Sequence, residues 1–170
     1  MDHELRYSRS RFFADAREHL TEDQALRAPQ CYRVFLKDGV PERAEYLQRG
    51  QLTRVVYVRA EPLDDALLAS HRASYGGVAI DIDTPQRRDG ELRTRTLYQY
   101  DGEGALRQQV QTFLSDRGDL VREIRGVGAE RTIIEYEHDG NHVLLRSVHK
   151  RDDGSVAEVY DWLADKRLGM

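Results

Sequence analysis

The 170-residue chain has a single cysteine, Cys31, so no intramolecular disulfide can hold it together. Cys31 heads an apolar run, where a buried, inert thiol is the expected state. Long hydrophobic runs are missing as well. No stretch approaches the roughly 20 apolar residues of a membrane-spanning helix, and the opening MDHELRYSRSRFF lacks the apolar centre of a secretion signal. The expected setting is the cytoplasm, with no membrane partner. Charge of one sign is never massed: Lys and Arg number 26 against 30 Asp and Glu, and the signs are interspersed. A nucleic-acid backbone calls for a basic stripe, so nucleic acid is not an expected partner. Common catalytic signatures are absent too, including the dinucleotide fingerprint, the P-loop, Gly-x-Ser-x-Gly and paired-cysteine metal spacing. No catalytic residue, cofactor or metal is assigned.

Charged residues make up 33% of the chain, a level that suits disorder, but nine Tyr, four Phe and one Trp sit in periodic segments and argue for folding. A recurrent device marks those segments: a turn glycine, one residue, then Leu or Val. It occurs at 50–52 (GQL), 90–92 (GEL), 104–106 (GAL), 118–120 (GDL) and 154–156 (GSV). The glycine takes a positive φ, the next residue faces outward, and the apolar residue begins a strand's inward face.

The pattern predicts an α+β, mostly-β single domain over 1–170. A short meander spans 31–60, with turns at Asp38-Gly39 and Arg49-Gly50. A long antiparallel meander covers about 77–163, and helices near 12–28 and 62–74 pack on one face. Thr21 and Gln24 have capping-box spacing, and Pro29 stops that helix. Leu63, Leu67 and His71 recur every four residues, with His71 expected at the edge of the packed face.

Register follows if Asp139-Gly140 and Asp153-Gly154 are both two-residue turns. Ile134 then faces Leu145, which faces Trp162, while Thr132, Ser147 and Tyr160 form the adjacent row. Arg146 falls between Ile133 and Asp161.

The stretch YQYDGEGALRQQV resembles the tyrosine-aspartate repeats of Rhs-type shells through Tyr100, Asp101, Gly104 and Leu106. The meanders, over 31–60 and 89–165, are similar to MORN-repeat-like antitoxin and immunity proteins, and the N-terminal part to small bacterial proteins of no known function. Helices at 21–28 and 62–74 depart from an unbroken repeat, and glycine spacing turns irregular after Gly118. The resemblance implies a bacterial, non-enzymatic protein that binds a protein partner such as a toxin.

Two constellations stand out. Glu130, His149 and Glu158 fall in one row of that register, and a histidine between carboxylates can act as a general base or hold a ligand. The plainer reading is a cross-strand ion-pair row. Arg93, Arg95 and Arg107, with Arg122, Arg125 and Arg146, sit on strand faces too polar for a core. They make either a solvated face or a charged surface for a protein partner, with Arg93, Arg95 and Arg107 as the contact residues. His138, Asp139 and His142 read as a solvated hairpin tip, and Asp81 and Asp83 as a strand end. The competing function is a small-molecule-binding barrel or cup, with or without enzymatic activity. Tyr98, Tyr100, Tyr136, Tyr160 and Trp162 would then line its hollow.

Overall fold

A computed structural model of the chain describes residues 4–10 and 18–162, so part of the helix expected from residue 12 lies outside the described residues. The elements are β1 (Glu4–Ser8), β2 (His19–Leu20), α1 (Glu22–Arg27), β3 (Gln30–Lys37), β4 (Val40–Gln48), β5 (Gln51–Val58), α2 (Asp65–Tyr75) and β6 (Ala79–Asp83). There follow β7 (Arg87–Asp89), β8 (Leu92–Tyr100), β9 (Leu106–Leu114), β10 (Leu120–Val127), β11 (Glu130–His138), β12 (Leu144–Arg151) and β13 (Val156–Asp161). The protein is mostly β, with a largely antiparallel sheet architecture and two short helices. It divides into two compact units: residues 1–84 with 98–107, and residues 85–97 with 108–170.

In the first unit the strands run β2-β1-β3-β4-β5-β6-β8. The β3-β4-β5 meander is the expected one, turning at Asp38-Gly39 and Arg49-Gly50, all four at positive φ as a tight hairpin requires. The next strand departs from expectation. β6 pairs with β5 in parallel, through the α2 crossover, rather than opening a second antiparallel meander. Burial explains this. Ile80 and Ile82 are sealed on one face of β6, and Asp81 and Asp83 are buried on the other, so both faces of the strand are covered.

α1 forms because Thr21 caps Gln24 and Gln24 returns the bond to Thr21, the predicted capping box. Its Ala25 carbonyl receives the Cys31 thiol at 3.8 Å, which fixes the helix over the start of β3. α2 begins later than predicted, at Asp65, with Asp64 as its N-cap and Pro62 ahead of it. Its Leu67 and Leu68, with Leu63 ahead of it, pack on Ile80, Ile82 and Tyr100. Full burial of each isoleucine contributes roughly 1.5–3 kcal/mol. Strand alternation sends Val34, Leu36, Ala44 and Val56 to the opposite face, where they form a separate cluster with Tyr32.

In the second unit the order is β13-β12-β11-β10-β9-β8, with β7 paired to β8. Three of its hairpins share one design. The turns at Ser115–Asp119, Asp139–Val143 and Arg151–Ser155 each close with a residue at positive φ just before the last position, namely Gly118, His142 and Gly154. Past each turn a bulge shifts the register by one residue. Asp101–Ala105 in the first unit closes the same way through Gly104.

That design corrects the predicted register. At Asp139 the left-handed residue is His142, so three residues, Gly140 to His142, make the loop, where Asp139-Gly140 alone had been expected. Ile134 consequently faces His149, and Tyr136 faces Ser147, four residues from the expected partners. The shift is even, so up to Glu137 the side chains keep their predicted faces while their neighbours change, whereas past the bulge Leu144, not Leu145, comes opposite His138. Between β12 and β13 the longer loop and its bulge cancel, and the predicted pairs Ser147–Tyr160 and His149–Glu158 are present.

Candidate functional site

The three-residue row dissolves in this register. His149 lies between Glu158 on β13 and Ile134 on β11, whereas Glu130 starts β11 opposite Val127. Glu130 is therefore not beside His149, and no histidine sits between two carboxylates there. The His149 ring meets Tyr160 at 5.0 Å, and Tyr160 meets Trp162 at 6.4 Å between centroids. Glu158 accepts the Tyr160 hydroxyl, which holds that phenol above its ordinary pKa. The Trp162 indole N–H points at Ser147 Oγ over a long 3.4 Å. Arg146 falls between Glu137 and Asp161, and bonds Glu137 at 2.7 Å, a better ion-pair environment than the predicted one beside Ile133.

The arginines prove to be engaged within the fold. Arg107, in the first unit, grips the Asp101 carboxylate with Nε at 2.9 Å. The same carboxylate accepts the backbone N–H groups of Ala105 and Glu103, and these bonds hold Asp101 below the usual carboxylate range, Ala105 contributing most. Arg93, in the second unit, donates to the Ser115 carbonyl at 3.2 Å, and its Nε is buried without a partner. Arg95 is half-buried. Arg125 pairs with Glu123, and Arg122 stacks on Phe113 with its Cζ 4.1 Å from the ring centre. The expected contact set is thus split between the units, and Arg107 is already neutralised. At the 139–143 turn, His142 Nδ1 meets the Asp119 carboxylate at 2.7 Å and holds Asp119 below its ordinary pKa. Among the described residues, no group of three or more His, Cys, Asp or Glu side chains is placed to hold a metal.

Aromatic placement is sharper. Tyr98 and Tyr100 pack with Ile80 and Ile82, and the Tyr136 hydroxyl bonds Glu123 at 2.8 Å. Tyr160 and Trp162 are 42% and 46% exposed, and Val156 and Val159 beside them are 55% and 51% exposed. All four lie on or just after β13, the terminal strand of its sheet among the described residues.

The first unit holds a polar network that the sequence reading did not identify. Glu45 is buried on β4 opposite Arg33, whose Nε donates to Oε2 at 2.7 Å and whose Nη2 binds the same oxygen. The Tyr75 hydroxyl donates to the other oxygen at 2.8 Å, and burial with this carboxylate pushes its pKa up to about 12. One turn earlier on α2, His71 is fully buried, not at an edge, between Tyr57 and the Val78 carbonyl. The signal was in the β3-β4 hairpin, but the Asp38-Gly39 turn alone sets Arg33 against Ala44. The bulge between Phe35 and Leu36 moves it to Glu45.

No family model, curated protein or solved structure matches the chain. No helix among the described residues is long and apolar enough to cross a membrane.

Proposed function

We propose that the chain is a non-enzymatic binding protein of the immunity or antitoxin kind, and that it captures its partner by strand addition along β13. The observation that carries this reading is the exposure of Val156, Val159, Tyr160 and Trp162 on a terminal strand. A sheet edge offers unpaired backbone groups, and exposed aromatics beside it supply anchors for a partner. Glu158 and Asp161 give the strand an acidic character, so the complementary partner is an extended segment with basic residues. The aromatics also weigh against a cup. Tyr98 and Tyr100 fill a core and Tyr160 and Trp162 face solvent, where a ligand hollow would need them converging. The arginine set supports the reading less than expected, because Arg107 and Arg93 already have intramolecular partners.

The test is co-expression with the toxin candidate encoded by the neighbouring gene. Wild type is expected to restore growth and co-elute with it. A Val159→Lys/Trp162→Ala variant should lose both effects while its unfolding free energy falls by no more than about 1–2 kcal/mol, since both side chains are half-exposed. Continued growth arrest with wild type would sink the antitoxin reading. Full rescue by the double variant would move the interface away from β13.

A further inference from the structure

Beside α1 the first unit has an open cavity of about 510 Å³, within the usual range of small-ligand sites, about 300–1,000 Å³. Two arginines line it, Arg9 just past β1 and Arg27 in the last turn of α1. Arg33, Arg54 and Arg59 of the same unit each have a carboxylate partner. The Arg9 and Arg27 side chains have no hydrogen bond or ion pair among the described residues, Asp23 one helical turn before Arg27 included. Both are carried on a fixed frame. The Arg9 N–H bonds the Glu18 carbonyl at 2.8 Å, and the capping box sets the start of α1.

The other polar side chains of the lining are donors to a ligand. Gln24 Oε1 accepts the Thr21 N–H at 2.9 Å, and Gln30 Oε1 accepts the Tyr46 hydroxyl at 2.7 Å. Each carboxamide is left with its N–H groups to offer. No carboxylate side chain lines the cavity among the described residues, and the end of α1 counts for roughly half a negative charge at most. Leu20 and Pro29 add apolar wall. Two surplus cations on separate elements, with amide donors and apolar wall in the same cavity, suit a ligand with two separated negative charges on an apolar body. We propose that the cavity binds a small aliphatic dicarboxylate, one carboxylate on Arg9 and the other on Arg27, its hydrocarbon link against Leu20 and Pro29. A guanidinium holds a carboxylate through two parallel hydrogen bonds, so each end is recognised by its own arginine. The cavity includes no part of β13, so this inference could fail or hold apart from the interface there.

Calorimetric titration of the full chain with the linear diacids from succinate to suberate tests it. Affinity should peak at one chain length, set by the spacing of the two arginines. The monoacid of that length should bind about tenfold more weakly, or worse, because one guanidinium goes unused. Arg9→Gln and Arg27→Gln should each bring the best diacid down to the level of the monoacid. Both side chains are exposed, so circular dichroism should show the fold intact. Lys37→Gln, an equal loss of charge at an exposed site outside the cavity, should leave diacid affinity unchanged. No diacid binding by wild type would overturn the proposal, as would equal binding of diacid and monoacid. So would tighter binding of inorganic phosphate than of any diacid, or equal weakening by Lys37→Gln and the arginine variants. If an arginine variant does not fold, the comparison of acids on wild type decides the matter alone.

Discussion

His71 shows how one residue's environment rewrites its chemistry. A carbonyl can only accept, so Nε2 must carry the proton that bonds Val78 at 2.9 Å. In the neutral ring Nδ1 then accepts the Tyr57 hydroxyl at 3.0 Å. Burial moves the His71 pKa below its ordinary 6.5, against the opposing pull of the Val78 carbonyl. The sign follows from linkage: between the two values the unfolded chain binds a proton that the folded chain refuses. His71 therefore contributes stability that is present above pH 6.5 and lost as pH falls through the depressed folded value. Urea denaturation at pH 8 and pH 5.5 should show wild type losing stability between them, and His71→Gln losing less. Equal losses in both proteins would mean that other groups carry the acid sensitivity. The sequence showed His71 only as the last member of a four-residue apolar spacing, because nothing local reveals that Tyr57 and Val78 close over it.

At the scale of elements, the turns were legible and their consequences only partly so. Paired positive φ at Asp38-Gly39 and Arg49-Gly50 is what those dipeptides imply, and the strands they join lie where alternation placed them. The turn at 139–143 misled because Asp-Gly is a strong hairpin signal, yet the left-handed residue there is His142. Asp139 Oδ1 accepts the N–H groups of Asn141 and Val143, so the aspartate organises the longer loop instead of entering a tight one. Bulges are silent in a sequence. One of them cancelled the loop error at Asp153-Gly154, and another compounded it at Asp139, which is why His149–Glu158 was legible and Glu130 was misplaced. The β10-β11 hairpin carries a clear prediction. Gly126 has φ 148°, and a Cβ there would sit 1.9 Å from the Glu130 carbonyl oxygen, whereas at Gly140 it would meet nothing within 4 Å. Gly126→Ala should cost roughly 2–4 kcal/mol and Gly140→Ala less than about 1, measured by denaturant midpoint. Similar costs at the two sites would show that the hairpin tolerates its strands moving apart.

At the scale of the whole molecule, an exposed edge is a hazard as well as an interface. A strand bearing Val156, Val159 and Tyr160 is a template on which a second copy could pair. Antiparallel self-pairing of β13 would bring Glu158 and Asp161 of both copies into one short ribbon, four carboxylates against which the Arg146 beside Asp161 on β12 sets one positive charge per copy. The net charge of −4 adds a weaker repulsion between whole chains. The two acidic residues thus admit a basic partner strand while discouraging self-association. Sedimentation velocity checks this directly. Glu158→Gln/Asp161→Asn should raise the weight-average mass at protein concentrations where wild type stays monomeric, and added salt should move wild type in the same direction as it screens the repulsion. If the variant sediments like wild type across that range, the carboxylates do not guard the edge, and its protection must come from the geometry of the strand itself.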